Sequence, residues 1–255
     1  MCPKDLEKKL NRGFKGIIVV DALGNPSGIG QIKDICTAHG IPLIQDSACA
    51  IGSSVNGVKV GAIADLTCYS FHPRKLLTTG EGGAIMTNCA KYAQWLNVKL
   101  AAGASGFKGR GLDFIDYGYN YRLSEISALM GWTQLIKLDE ITDGRNAIAN
   151  EYAAALEPLG FIRQKVNNNV FHNIQSLVFT VPPRISRNSL IDCLSDQNIE
   201  STLGTYCLST TTYYLDKYSD PQNNSLWLEN NTITLPCYNG VDVSRVVEAI
   251  RNLLV

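Results

Sequence analysis

Residues 17–46 read IIVVDALGNPSGIGQIKDICTAHGIPLIQD. An apolar, β-branched run opens this stretch and a second apolar run at 41–44 closes it, and both runs predict strands. Between them, apolar residues with helical spacing run from Ile29 to Cys36, and Gly40 is typical of a residue just past a helix end. Strand, helix and strand at this spacing predict a βαβ unit with two parallel strands and a right-handed crossover.

The chain after this unit continues the α/β pattern. Two further strands are predicted at 66–71 and 84–87, on either side of a glycine-rich turn. Residues 101–118 carry many glycines and few apolar residues, which predicts an irregular, mobile loop. Ser124 is the predicted N-cap of a helix that is expected to run towards Leu156, with a break near Gly144.

The C-terminal part has a different character, with short strands predicted at 177–181, 199–203 and 232–235 and helices at 187–196 and 243–254. We therefore predict two domains, a large one over 1–145 and a small α+β domain over 146–255.

The composition limits the function classes. The chain has 255 residues, of which 45% are hydrophobic, and its 23 basic residues balance its 23 acidic ones. This length supports a sizeable core, and the charge balance gives no reason to expect nucleic acid or an anionic membrane as a partner. No apolar run is long enough to span a membrane, and the first residues lack the apolar run of a signal peptide.

Cysteine and histidine usage predicts neither disulfides nor a metal site. Eight cysteines and three histidines are present, without a Cys-x-x-Cys pair and without the spacing of metal ligands. We expect reduced thiols in a cytoplasmic protein.

Polar residues follow the predicted strands at Asp21, at Asp46 and over 70–75. Ligands of an open parallel sheet gather at the carboxyl ends of its strands, so these residues are candidate site residues. Lys75 has two interpretations at this point. It forms a structural ion pair with a carboxylate, or it is a Schiff-base lysine whose amine attacks a carbonyl.

Four longer motifs help to decide between these two interpretations of Lys75. They read QDSACAIG at 45–52, SFHPRK at 70–75, TGEGG at 79–83 and YGYNYRLSE at 117–125. In this order they resemble the DegT/DnrJ/EryC1/StrS family, the nucleotide-sugar aminotransferases of pyridoxal phosphate (PLP) fold type I. The resemblance extends over essentially the whole chain. It implies a mostly parallel sheet with flanking helices, a smaller C-terminal domain and PLP as the cofactor.

The resemblance also implies roles for individual residues. Lys75 matches the lysine that binds PLP covalently and then moves a proton between substrate and cofactor. Asp46 matches the carboxylate that pairs with the pyridine nitrogen and keeps it protonated, so that the ring can accept electrons. Ser70 matches a hydroxyl that binds the cofactor phosphate. Asn120 matches an asparagine that reaches the phosphate in the neighbouring subunit, which implies a homodimer.

Two further cofactor contacts are expected, and several alternatives stay open. Cys49 stands where the family has a glutamine against the cofactor edge, and Asn25 lies in a turn similar to one that contacts the phenolic oxygen of PLP. Asn25 could equally be a helix entry, Asn120 could tie down a loop, and Ser70 could be an ordinary strand-end serine. A histidine common in the family is replaced by Asp21.

The resemblance begins after the N-terminal third that family members carry. That third supplies a phosphate-binding loop at a helix N-terminus and strands of the sheet. Its absence predicts an uncovered sheet edge and leaves room for a complementing N-terminal chain.

The predicted function is amino transfer from an amino-acid donor such as glutamate to a keto-sugar nucleotide. The alternative is a non-catalytic relative, or a subunit that needs a further segment for activity. A nicotinamide-dependent dehydrogenase is disfavoured, because the first strand–helix turn lacks Gly-x-Gly-x-x-Gly.

Overall fold

The computed structural model of the protein describes residues 1–217, 220 and 222–253, and Asn11 by its backbone alone. Its helices are α1 (Pro3–Lys9), α2 (Ile29–Ala38), α3 (Ala90–Leu100), α4 (Glu125–Leu135), α5 (Leu138–Leu156), α6 (Arg187–Asp196), α7 (Thr212–Lys217), α8 (Asn223–Asn231) and α9 (Val243–Asn252). Its strands are β1 (Ile17–Val20), β2 (Leu43–Asp46), β3 (Ser54–Val55), β4 (Val58–Lys59), β5 (Leu66–Ser70), β6 (Gly83–Met86), β7 (Ala104–Lys108), β8 (Gly111–Phe114), β9 (Ile162–Arg163), β10 (Val170–Phe171), β11 (Leu177–Thr180), β12 (Thr202–Leu203) and β13 (Thr232–Leu235).

The chain divides into two compact units. The first comprises Met1–Asp139 and Asn167–Asn173, and the second comprises Glu140–Val166 and Ile174–Val255. The predicted domains, 1–145 and 146–255, stay a prediction.

The main sheet of the first unit has the strand order β1-β2-β5-β6. Strand β1 pairs in parallel with β2, and β2 in parallel with β5, whereas β6 is antiparallel to β5. The α/β class and the parallel βαβ unit are therefore confirmed. Strand β2 begins at Leu43 rather than at residue 41, since the intervening Pro42 has no N–H to donate to a strand partner.

The two faces of this sheet differ in what covers them. Ile17 and Val19 are buried in one hydrophobic cluster together with apolar residues of α1 and α2. Ile18 and Val20, which alternate with them along β1, are 60% and 56% exposed. Because side chains alternate between the faces of a sheet, the helices cover one face and leave apolar side chains exposed on the other.

The prediction of an irregular loop over 101–118 is wrong. Strands β7 and β8 form an antiparallel hairpin, in which Phe107 pairs with Leu112. Gly106, at the irregularity in the pairing, and Gly109, in the turn, both have positive φ. These glycines therefore provide the backbone conformations that a bulge and a tight turn require, and they do not interrupt the strands.

The predicted helix from Ser124 to Leu156 is two helices. Ser124 caps α4 as predicted, because its Oγ accepts a hydrogen bond of 3.1 Å from the Ser127 N–H. The break lies between Leu135 and Leu138, and Gly144 is inside α5.

The second unit contains a sheet of order β12-β13-β11-β9, in which the neighbouring strands are antiparallel. Helices α5, α6 and α9 contribute buried side chains to its core, where Phe161 and Phe179 pack edge to face with ring centroids 6.4 Å apart. The predicted strand over 199–203 is reduced to β12.

Within the described part of the chain, none of the helices combines the length and apolar character needed to cross a membrane.

Candidate active site

The parallel strands β1, β2 and β5 end at one edge of the main sheet. Their register places Val20 beside Asp46 and Asp46 beside Cys68, two residues before the end of β5 at Ser70. Asp46 and Ser70 therefore lie at the carboxyl edge of neighbouring strands, where ligands of open α/β sheets bind. The Asp46 side chain is half-buried, and its Oδ1 accepts a hydrogen bond of 3.1 Å from the Ala48 N–H.

The segment from Ser70 to Gly83 forms a closed loop that carries Lys75. The Phe71 N–H donates to the Gly82 carbonyl at 2.9 Å, and the Phe71 carbonyl accepts from the Thr79 N–H at 3.0 Å. Near the tip, the Lys75 N–H donates to the His72 carbonyl at 2.9 Å. Hydrogen bonds at the base and within the loop thus restrict where the Lys75 backbone can lie.

The Lys75 amine contacts the turn that follows Asp46. Its Nζ lies 3.0 Å from the Sγ of Cys49, three residues after Asp46. Lys75 as a residue is half-buried. The lysine loop and the end of β2 therefore meet at the carboxyl edge of the sheet.

Gln134 of α4 holds the lysine loop from outside. Its Oε1 accepts from the Thr78 N–H at 3.1 Å, and its Nε2 donates to the Thr78 carbonyl at 2.7 Å. A Cβ on Gly131, one turn earlier in α4, would lie 3.0 Å from the Thr79 side chain. The helix thus packs on the backbone of Thr78 and on the side chain of Thr79, three and four residues beyond Lys75.

Asn173 holds the turn that contains Cys49. It is fully buried, and its Nδ2 donates to the carbonyls of Cys49 and Ile51 at 2.9 and 2.8 Å. The neighbouring His172 is also buried, which lowers its pKa, and its Nε2 donates to the Leu23 carbonyl at 3.0 Å.

Asp21 is a buried carboxyl group behind the end of β2. Burial raises its pKa to about 6, and the nearby charge of Asp46 adds to this, while hydrogen bonds from Ser47 and Gln45 act in the opposite direction. Burial also raises the pKa of Cys68, and Asp46 again contributes. The carboxyl edge thus holds two acidic groups close enough to influence each other.

Four of the six predicted site residues come together at this edge, namely Asp46, Cys49, Ser70 and Lys75. The other two make contacts in their own turns. Asn25 Oδ1 accepts from the N–H and the hydroxyl of Ser27, which is an Asx turn in the segment before α2. The exposed Asn120 accepts a hydrogen bond of 2.8 Å from the Arg122 Nε. The roles of all six residues toward a cofactor stay predictions.

Gln134 and Asn173 were not identified from the sequence. Gln134 bonds a residue 56 positions earlier in the chain, and Asn173 bonds residues more than 120 positions earlier. Neither lies in a motif, so only the tertiary structure shows these contacts.

Comparison with known proteins identifies the family. The profile of the DegT/DnrJ/EryC1/StrS aminotransferase family matches residues 1–251. GDP-perosamine synthase of Vibrio cholerae is 31% identical over 98% of this chain and 69% of its own length. A Campylobacter jejuni UDP-4-amino-4,6-dideoxy-N-acetyl-beta-L-altrosamine transaminase is 37% identical over 60% of this chain and 42% of its own.

Solved structures agree on the fold. The Helicobacter pylori aminotransferase PseC, involved in the biosynthesis of pseudoaminic acid, superposes with a TM-score of 0.91 at 22% identity, over 99% of this chain and 70% of its own. The predicted fold of PLP-dependent aminotransferases is thereby confirmed, and these comparisons give no support to the non-catalytic alternative. The chain belongs to the DegT/DnrJ/EryC1/StrS aminotransferase family and is a sugar aminotransferase with pyridoxal phosphate as its cofactor.

Proposed function

We propose that the protein transfers an amino group from an amino-acid donor such as glutamate to the keto group of a nucleotide-linked sugar, at the edge formed by Asp46, Ser70 and Lys75. The observation that carries this proposal is the meeting of the Lys75 amine, 3.0 Å from Cys49, with the turn that follows Asp46. The names of the relatives, with their GDP and UDP sugars, support a nucleotide-linked substrate.

The donor set at this edge fits PLP in its chemistry. Bound PLP would supply an aldehyde that captures amines and a ring that accepts electrons. Lys75 offers a primary amine for the aldehyde, Asp46 a carboxylate for the ring nitrogen and Ser70 a hydroxyl for the phosphate. Cys49 would lie at the edge of the ring, and we assign Asn25 and Asn120 supporting contacts. Lys75, Asp46 and Ser70 thus each offer a group that complements one functional group of PLP, by covalent chemistry, by charge and by hydrogen bonding respectively.

Lys75 has two tasks in this proposal. Its amine would hold the cofactor at rest, and once freed by an incoming amino substrate it would take a proton from the substrate carbon and pass that proton to the cofactor. The closed loop, together with the two hydrogen bonds from the Gln134 side chain to the Thr78 backbone, keeps the backbone of Lys75 in place during both tasks. The half-buried setting of the side chain shields the amine partly from water.

Asp46 acts as a fixed negative charge. Its Oδ1 accepts from the Ala48 N–H, which orients the carboxylate at the end of β2. A carboxylate beside the ring nitrogen would hold a proton there and so favour electron flow into the ring. We propose that this charge accelerates the removal of the proton from the substrate carbon.

The test is amino transfer by the purified protein supplied with PLP. We expect nitrogen from labelled glutamate to appear, by mass spectrometry, in one of a panel of GDP- and UDP-linked keto sugars. The same panel without the nucleotide serves as the control for substrate class. Absence of labelled amino sugar with every nucleotide-linked substrate, from protein that binds PLP, would contradict the proposed reaction.

We further propose that the protein is a homodimer joined through α4 and the β7–β8 hairpin. Ile126 and Trp132 of α4 are 78% and 62% exposed, and Phe107 and Phe114 of the hairpin are exposed beside other apolar residues. Apolar surface of this extent is characteristic of an interface between proteins. Asn120 lies in the segment that connects the hairpin to α4, as a residue reaching into the neighbouring subunit would require.

Leu129→Glu on α4 is expected to weaken dimerisation by about a hundredfold, because an interface would then bury an unpaired carboxylate. Analytical ultracentrifugation across a concentration series measures the change. Gln31→Glu, at an exposed position of α2, is the matched control and should leave association unchanged. A wild-type protein that remains monomeric at every concentration would refute the dimer.

Two further expectations remain predictions. A complementing N-terminal chain would find β1 as an outer strand of the main sheet in the described residues, and Ile18 and Val20 of β1 exposed on one face. A cytoplasmic location is supported by the cysteines, all eight of which lie in the described part of the chain and are free.

A further inference from the structure

Asp21 bonds three consecutive residues at the end of β2. Its Oδ2 accepts from the Gln45 Nε2 at 2.8 Å and from the Ser47 Oγ at 2.6 Å. Its backbone N–H donates to the Asp46 carbonyl at 3.0 Å. Asp21, the residue that follows the neighbouring strand β1, thus holds the Asp46 backbone directly and also binds the side chains of the residues before and after Asp46.

The exposure of the residues at the end of β2 shows that the Asp46 carboxylate remains accessible to a ligand. Gln45 and Ser47 are fully buried and Asp21 is 2% exposed, whereas Asp46 is half-buried. Side chains alternate between the faces of a strand. Asp21 therefore binds the end of β2 on the buried face of the sheet, and the carboxylate of Asp46 points to the opposite face.

We propose that Asp21 is a positioning residue for Asp46, which fixes the end of β2 and places a second negative charge behind the carboxylate that faces the cofactor nitrogen. This inference rests on the proposed function. It assigns to Asp21 an effect that is exerted through Asp46 and not through contact with the cofactor or the substrate.

The charge of Asp21 depends on pH in the range where enzymes work. Burial raises its pKa to about 6, and the hydrogen bonds from Ser47 and Gln45 lower it. Among the charged groups, Asp46 on β2 raises the pKa and the α-amino group of Met1 lowers it. Tyr69 on β5 also faces it, since burial and the charge of Asp21 together raise the pKa of Tyr69 to about 12. Below about pH 6 we expect Asp21 to be neutral and its support of Asp46 to weaken.

The same shift has an effect on folding with a defined sign. The pKa of Asp21 in the folded protein lies above its ordinary value of 3.8, so the folded state binds more protons than the unfolded state between these two values. Stability therefore falls as pH rises from about 4 to about 6, and the loss persists at higher pH. The charge of Asp21 thus lowers the stability of the folded protein while it supports Asp46. Such a cost in stability is common at active sites, where activity and stability place different demands on the same residue.

Asp21→Asn separates these effects, because asparagine keeps the shape and one acceptor oxygen but removes the charge. We expect kcat to fall by roughly ten- to a hundredfold, the loss typical of groups that orient a working ligand, with KM little changed. The decline of wild-type kcat below about pH 6 should be absent from the variant. Thermal unfolding without PLP should show the variant at least as stable as the wild type at pH 8, with the difference disappearing near pH 4.

Asp34→Asn is the control, since it removes a carboxylate from an exposed position of α2. Ser47→Ala removes one hydrogen bond to Asp21 and should shift the acid decline to higher pH, because that bond lowers the pKa of Asp21. A wild-type pH profile that persists in Asp21→Asn would overturn the inference while leaving the proposed function intact. Failure of the wild type to transfer nitrogen would refute the function, and the stability measurement would still report on Asp21.

Discussion

Lys75→Ala is expected to abolish covalent attachment of PLP and to lower amino transfer by about 10³-fold or more, the scale seen when a covalent nucleophile is removed. The reason is that this amine lies at the carboxyl edge, in contact with the turn that carries Cys49. Borohydride treatment of the PLP-loaded wild type, followed by peptide mass spectrometry, should place the cofactor mass on the peptide that contains Lys75.

Two controls isolate the amine. Lys75→Arg keeps a positive charge but offers no nucleophilic amine, and it should be as inactive as the alanine variant. Lys91→Ala, at an exposed position at the start of α3, should retain full activity. Cofactor mass on another lysine, or visible absorption of bound PLP that persists unchanged in Lys75→Ala, would remove the assigned role.

The sequence predicted the features that depend on local patterns. The alternation of apolar runs with a helix identified the parallel strands β1 and β2, and the strand ends identified Asp46 and the segment with Lys75 as neighbours. These predictions succeed because strand direction and right-handed crossover restrict where the carboxyl ends can lie.

Features that depend on contacts between residues far apart in the chain could not be predicted from the sequence. The glycines of the β7–β8 hairpin look locally like loop residues, and only the cross-strand pair of Phe107 and Leu112 shows that they serve a bulge and a turn. The bond from Gln134 to the backbone of Thr78 joins two segments with no common pattern. The PLP roles came from resemblance to a family, since spacing alone left Lys75 open to an ion-pair interpretation.

The location of Asp21 illustrates this limit. Its position after β1 marked it as a candidate, but the strand end alone did not distinguish a ligand contact from a structural role. The hydrogen bonds to Gln45 and Ser47 direct its carboxylate away from the free side of the edge. These contacts favour a role for Asp21 in positioning Asp46 over direct contact with a ligand.

Asp46→Asn is expected to lower kcat by about 10²- to 10⁴-fold, the range associated with removal of one preorganised polar or proton-transferring group. The amide oxygen can still accept from the Ala48 N–H, so the end of β2 should keep its shape. What is lost is the negative charge that would hold a proton on the ring nitrogen. The PLP-loaded variant should therefore retain covalent cofactor on Lys75 while turnover falls, measured by steady-state assay and by borohydride trapping together.

The comparison with Lys75→Ala makes this result specific. Loss of both trapping and turnover in Asp46→Asn would indicate that the substitution disrupts cofactor binding and not the electronic task. Asp46→Glu, which restores the charge on a longer side chain, should recover part of the turnover. Asp65→Asn provides the matched structural control, because Asp65 pairs with Lys33 at 2.7 Å and accepts from the Leu43 N–H at the opposite end of β2. We expect that variant to lose stability but to keep its turnover per folded molecule, so an equal loss of kcat in both variants would assign Asp46 a structural role alone.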